Sequence, residues 1–227
     1  MGGSSRRGRT LYNKVMDAII GRLFQVQGAW GCLNLNQLAK EQFSGAAKNP
    51  LLNPDCCASW AEAMARKHGL DFSYGSYLED RKDLWRGHYH EPGHMVHLGV
   101  DYNVPAGTEV CCPERIVVAE CLRDPDQRGG WGGRLVLRNS RREHLVLAHL
   151  GQVKLPAPGT MIYMGELLGY VGESFENGGW YPHLHAQCVR KLSELVDRYA
   201  AESSSLKGLS TPGHFPNPMI YGFVDLH

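Results

Sequence analysis

Four residues in two short stretches could do metal chemistry. His183 and His185 stand two apart in His183-Leu-His185. On a strand that spacing puts both rings on one face, so one can bind an ion while its neighbour points at water or substrate. His97 and Asp101 stand four apart in His97-Leu-Gly-Val-Asp101. A straight strand would separate them by roughly 13 Å at ~3.3 Å per residue, too far to share an ion. The segment must bend, and Gly99 at its centre permits it. His97 is therefore expected in an approach loop, with Asp101 at the start of a strand. Together the stretches offer two imidazoles and a carboxylate for one divalent metal, with an imidazole left over. Zinc in hydrolases takes three such N/O ligands and keeps a fourth position for water. Each motif alone is also compatible with surface histidines or an ion pair at a turn.

His149 closes the run His144-Leu-Val-Leu-Ala-His-Leu150. Strict alternation places it on the face of Leu145 and Leu147. A lone histidine in such a place is more often a hydrogen-bonded core residue than a catalyst. His88 and His90 repeat the two-residue spacing, but Gly87, Glu91, Pro92 and Gly93 supply no strand to hold their rings. They and His94 read as a rim loop within reach of substrate. His68, His144, His214 and His227 have no evident partner. No H-E-x-x-H occurs, so a zinc hydrolase built here has no glutamate in the usual place for proton transfer.

Helical patterning comes first in the chain. Leu11, Val15, Met16, Ile19, Ile20 and Leu23 form one apolar stripe over residues 10–26. A weaker helix is expected from Asn36 to before Gly45. Ser59-Trp-Ala-Glu62 has the capping-box pattern, with a helix running on to His68 and stopping at Gly69. From Phe72 short β-branched runs alternate with Gly, Pro and Asn. Expected strands are Val110 to Cys112, Ile116 to Leu122, Arg134 to Arg138, His144 to Leu150, Leu167 to Val171 and His183 to Val189. Asn139 to Arg142 reads as a hairpin connection and Arg123 to Arg134 as a long loop. Residues 190–202 return to a helical pattern, and the proline-rich tail should be extended. The expected architecture is α+β: a mainly antiparallel β core over residues 71–190, an N-terminal helical extension over 1–70, and a C-terminal helix and tail over 191–227 packing on the core.

The chain has 227 residues, of which 43% are hydrophobic and 21% charged, with a formal net charge of +1. No bulk field draws it to nucleic acid, and no window approaches the ~20 apolar residues of a membrane span. Seven cysteines include two vicinal pairs and no C-x-x-C, a pattern of reduced thiols. The basic N-terminus lacks an apolar signal core, and Arg6 stands where a myristoylation motif wants Ser or Thr. A cytoplasmic location is expected, with organelle targeting through the basic N-terminus as the alternative.

Taken in order, H-x-x-x-D at His97 and Asp101, the strand-end His149 in Leu-Ala-His-Leu, and H-x-H at His183 and His185 resemble the lysostaphin-type (LytM-fold) zinc metallopeptidases. Asp101-Tyr-Asn-Val-Pro-Ala-Gly-Thr-Glu-Val110 and Met164-Gly-Glu-Leu-Leu-Gly-Tyr-Val-Gly172 are similar to that family's texture between the motifs. The resemblance covers about residues 70–190. Tyr74 to Arg81 and Asn177 to His183 resemble a branch without secretion signals, found alone or beside aminotransferase-like and kinase-like domains. The resemblance implies one zinc ion on His97, Asp101 and His185, with His149 and His183 as catalytic residues flanking the open position. It implies hydrolysis of a peptide or peptide-like amide, and the charge and hydropathy above add no expectation of a nucleic-acid or membrane partner. Degenerate relatives lacking hydrolysis make a zinc-binding regulatory module the alternative. Trp180, Tyr181 and the loop from Arg123 to Arg134 are candidate walls of a substrate cleft. Gln187 and Tyr102 lie close enough in sequence to orient ligand rings.

Overall fold

The computed structural model describes residues 17–87, 95–152, 154–192, 195, 198–199 and 217–218. Its fold is α+β, dominated by antiparallel strands. Residues 17–23 form α1, Leu35–Phe43 α2 and Pro54–Lys67 α3. The strands are β1 Trp30–Cys32, β2 Phe72–Tyr74, β3 Glu79–Asp80, β4 Val96–His97, β5 Val100–Asn103, β6 Glu109–Cys111, β7 Ile116–Arg123, β8 Gly133–Arg138, β9 His144–Leu150, β10 Met161–Ile162, β11 Leu167–Tyr170, β12 Leu184–Val189 and β13 Arg198–Tyr199. An eight-stranded sheet runs β1-β2-β5-β12-β9-β8-β7-β10. Its pairings are antiparallel except β1 with β2. β6 pairs with β11, and β13-β4-β3 make a small third sheet.

The two faces of β5 and β12 do different work, as a period of two requires. Val100 and Tyr102 with Leu184, Ala186 and Cys188 face the main core. Asp101, His185 and Gln187 therefore project from the opposite face. Ile19, Ile20 and Leu23 of α1, with Phe24 just after it, close the core, each buried side chain contributing about 1.5–3 kcal/mol. A second cluster joins α2 and α3 through Leu35, Ala39, Cys57, Trp60 and Ala61 to Trp85, Trp180 and Tyr181. A third, of Val96, Leu98, Val136, Val146 and Val189, continues the face that carries Asp101, His185 and Gln187.

Most of the expected strands form within a residue or two of their predicted ends, and the Asn139 hairpin joins β8 to β9 as read. Several expectations need correction. The first 70 residues are not wholly helical, because Trp30–Cys32 joins the edge of the main sheet beside β2. The helix attributed to the Ser59 capping box starts earlier. Asn53 caps it by accepting from the Cys56 N–H at 3.0 Å, and Pro54 occupies its first turn, leaving Ser59 in the interior. Within residues 190–202, Arg198–Tyr199 is strand rather than helix. It pairs with Val96–His97, whose backbone groups require partners that the local helical pattern does not reveal. Leu192 and Leu195 pack as expected of apolar residues, against the third cluster. Leu11, Val15 and Met16, the rim-loop histidines His88, His90 and His94, and most of the tail lie outside the described residues.

Candidate metal centre

Three elements bring the ligand candidates together. β4 carries His97, β5 carries Asp101 and β12 carries His185, which is directly opposite Asp101 in the β5–β12 ladder. The chain between His97 and Asp101 bends at Gly99. His97 is thus not in a loop but on the central strand of the small sheet, between Glu79 on β3 and Arg198 on β13. Gly99 matters for space as well as for the bend. A Cβ there would lie 2.5 Å from His185 Cε1 and 2.6 Å from the Ala186 carbonyl oxygen. The imidazole of His185 occupies the volume that any larger residue would need.

Ligand atoms converge closely. His97 Nε2 lies 2.8 Å from His185 Nδ1 and 3.2 Å from Asp101 Oδ1, and His185 Nδ1 lies 3.1 Å from the same oxygen. Tetrahedral zinc with bonds of ~2.0–2.1 Å separates its ligands by roughly 3.3 Å, so the triangle is slightly tight but of the right size. Tautomer chemistry points the same way. His185 Nε2 donates to Gln187 Oε1 at 3.0 Å, which leaves Nδ1 without a proton beside a carboxylate oxygen. Three acceptors around one point, with at most one His97 proton to share, form a donor set suited to a cation. These residues fit zinc. Of the orienting residues expected from sequence, Gln187 fills that role, whereas Tyr102 lies in the main core.

The cluster is dry. His97, Asp101, His183 and His185 are 3%, 2%, 2% and 1% exposed. Burial, reinforced by the Arg81 charge, pushes His97 down to about 3. Burial alone would raise Asp101, but the Arg81 guanidinium and the His97 and His183 rings outweigh it and hold the carboxyl well below its usual range. Burial also lowers His183 and, with the nearby His183 and His185 rings, His149. Neutral imidazoles and an ionised carboxylate are the states a metal requires.

His149 reaches this face by a route that alternation did not anticipate. Between Gly133↔Leu150 and Leu135↔Leu147 the β8–β9 register slips by one residue, and His149 has φ 64°. A β-bulge with a left-handed residue breaks the period of two. Leu145, Leu147 and Leu150 stay in the core, while the half-buried His149 ring sits 4.5 Å from that of His183 and 5.9 Å from that of His185. His183 donates from Nδ1 to the Tyr181 carbonyl at 2.7 Å, so its Nε2 is free, 3.6 Å from Asp101 Oδ2.

Around this set are residues that sequence reasoning overlooked. Arg81 is buried and donates to Asp101 Oδ2 and, at 2.9 Å, to Glu79 Oε2. Its sequence signals were its place at the end of the Tyr74 to Arg81 stretch and a charged pair, Glu79 and Arg81, at strand spacing. Trp131 lies edge-on to His185 at 5.8 Å, and its carbonyl accepts from the His149 N–H at 2.9 Å. A tryptophan between two glycine pairs was the available clue. Its loop, within the expected Arg123 to Arg134 stretch, does adjoin the centre and docks on residues 177–179, with Gly178 against Gly130 too closely for any side chain. Trp180 and Tyr181 are less open than a cleft wall requires. Trp180 donates from Nε1 to the Leu51 carbonyl at 3.2 Å inside the helical cluster, and Tyr181 stacks on His183 and donates to Asn103 Oδ1 at 2.8 Å. The Trp180 contacts are those of a packed support, while Tyr181 also borders a cavity together with Asn103 and Pro182. His94, the third substrate-binding candidate, lies outside the described residues.

Residues 95–198 match the model of peptidase family M23. This stretch of the chain is similar to that family. The M23 match begins beside β4 and therefore includes all five histidine and aspartate positions but not Glu79 or Arg81. Among solved structures, a zinc containing peptidase from Vibrio cholerae is 23% identical, with 42% of this chain and 28% of that one covered and a TM-score of 0.36. The catalytic domain of the prophage-encoded M23 protein EnpA from Enterococcus faecalis is 20% identical over 66% of this chain and 92% of that one, with a TM-score of 0.43. The catalytic domain of lysostaphin from Staphylococcus simulans is 18% identical over 64% and 96%, with a TM-score of 0.41. The chain spans only 28% and 37% of the length of the first two structures matched. No curated protein matches the chain.

Proposed function

We propose that the chain is a zinc-dependent hydrolase that cleaves an amide bond of a peptide or peptide-like substrate. The observation that carries the reading is the convergence of His97 Nε2, Asp101 Oδ1 and His185 Nδ1 on one point, with two further imidazoles beside it. His97, Asp101 and His185 would hold one zinc ion. When bound, zinc supplies a Lewis acid for the scissile carbonyl and brings the pKa of its water to ~7.

The remaining chemistry belongs to His149 and His183. The Tyr181 carbonyl keeps the His183 proton on Nδ1, so Nε2 is the atom able to take a proton. His149, across the 4.5 Å ring contact, is placed to stabilise an oxyanion or to donate to the departing amine. Burial by Trp131, Trp180 and Tyr181 excludes water and strengthens these interactions. The seven unpaired cysteines support a cytoplasmic site of action, and among the described residues no helix is long and apolar enough to cross a membrane.

A non-hydrolytic zinc module is the second reading, favoured by the near-complete burial of His183. Zinc content measured in the wild type, H185A and H149A, alongside cleavage of a mixed peptide library, separates the two. The hydrolase loses metal in H185A, and in H149A keeps metal while losing turnover. Zinc without turnover in the wild type favours the module, and a wild type that takes up no zinc overturns both.

A further inference from the structure

Asp101 offers two oxygens, and the structure treats them differently. Oδ1 faces His97 Nε2 and His185 Nδ1. Oδ2 is taken by Arg81 Nη1. The guanidinium that takes it has no freedom to leave. Arg81 is among the largest fully buried side chains, its Nε is bound to Glu79 Oε2 at 2.9 Å, and its plane lies near the Trp85 ring at 5.3 Å. Glu79 in turn pairs in register with His97, so the clamp on one ligand is built into the strand beside another.

A carboxylate can bind an ion through one oxygen or both. With Oδ2 committed to a planar, permanently charged fork, only Oδ1 remains. An arginine this close would also repel a cation, but the Glu79 charge offsets it locally. The pair therefore fixes geometry with little cost in field.

We propose that Arg81, held by Glu79, is a positioning residue that keeps Asp101 a one-oxygen metal ligand and so preserves the open coordination position. The inference rests on His97, Asp101 and His185 being the ligands. It also makes the segment before residue 95, outside the family match, part of the centre.

Cobalt(II) tests it without any substrate, because the intensity of its visible bands falls as coordination number rises. The wild type, R81Q and R81K would be saturated with Co²⁺, with folding checked by circular dichroism. The expected result is intense bands in the wild type, clearly weaker bands in R81Q as Oδ2 joins the ion, and recovery toward wild type in R81K. Should the lone Glu79 carboxylate prevent R81Q from folding, E79Q/R81Q removes that charge and is judged by the same criterion. A folded variant without Arg81 that shows the wild-type spectrum overturns this proposal while leaving the metal centre intact. A wild type that binds neither Co²⁺ nor Zn²⁺ overturns the ligand assignment as well.

Discussion

Gly99 and His149 each carry a backbone condition on which the centre depends. At Gly99 the condition is space. An alanine Cβ would meet His185 and the Ala186 carbonyl at 2.5 and 2.6 Å, and both belong to a paired strand that cannot retreat without moving the ligand. G99A is expected to cost about 1–3 kcal/mol in denaturant unfolding and to lower zinc occupancy in the same preparation. At His149 the condition is φ 64°, which puts a non-glycine residue in the left-handed region. Replacing it by alanine keeps the strain, whereas glycine relieves it. H149G should therefore be more stable than H149A by about 1–2 kcal/mol, with neither variant turning over substrate. Equal stability of the two would mean that the bulge rearranges once the imidazole is gone.

At the scale of elements, short segments position the centre and longer ones support it. β4 is two residues long and holds His97 because β3 and β13 flank it. β9 bulges at its end and turns His149 out of the core plane. α3 is set by its start signal. Asn53 accepts the Cys56 N–H and Pro54 fits the first turn, so the Ser-x-x-Glu pattern five residues on has no cap to make. N53A is expected to lower stability by about 1 kcal/mol, while S59A leaves the unfolding midpoint within experimental error of wild type. A reversal of that order would move the start of the helix. Since α3 contributes Cys57, Trp60 and Ala61 to the cluster holding Trp180, its loss would also loosen the wall behind His183.

Across the whole molecule, the centre is a buried charge cluster that folding must assemble. Burial and Arg81 hold His97 at about 3, against ~6.5 in an unfolded chain. Between those values the unfolded state binds a proton that the folded state refuses. Stability therefore falls as the pH drops through that window, and is fully present above it. The melting temperature of the metal-free protein should decline from about pH 6.5 toward pH 3, and the slope should be shallower in H97Q. A pH-independent melting temperature in the metal-free wild type would show that His97 is not held neutral. The N-terminal segment takes part at this scale too. β1 and β2 extend the main sheet beside β5, and α1 closes the core beneath it.

Residue types and their order determined much of this protein. His97, Asp101, His149, His183 and His185 stand out in the sequence because a metal centre would demand side chains of those types, and H-x-H shares one strand face by local geometry alone. The longer strands, the Asn139 hairpin and the bend between His97 and Asp101 follow from short-range patterns for the same reason. Other features depend on atoms distant in the chain. The bulge that reverses alternation at His149 arises from the register of β8 against β9. A two-residue β4 and the Arg198–Tyr199 strand have no period of their own and exist because neighbouring backbone groups must be paired. Trp180 looks like a cleft wall until α3 and Leu51 cover it. Arg81 looks like a surface charge until folding buries it against Asp101, 20 residues away. Only tertiary structure could decide these points, because each is settled by what packs against the residue and not by the residue itself.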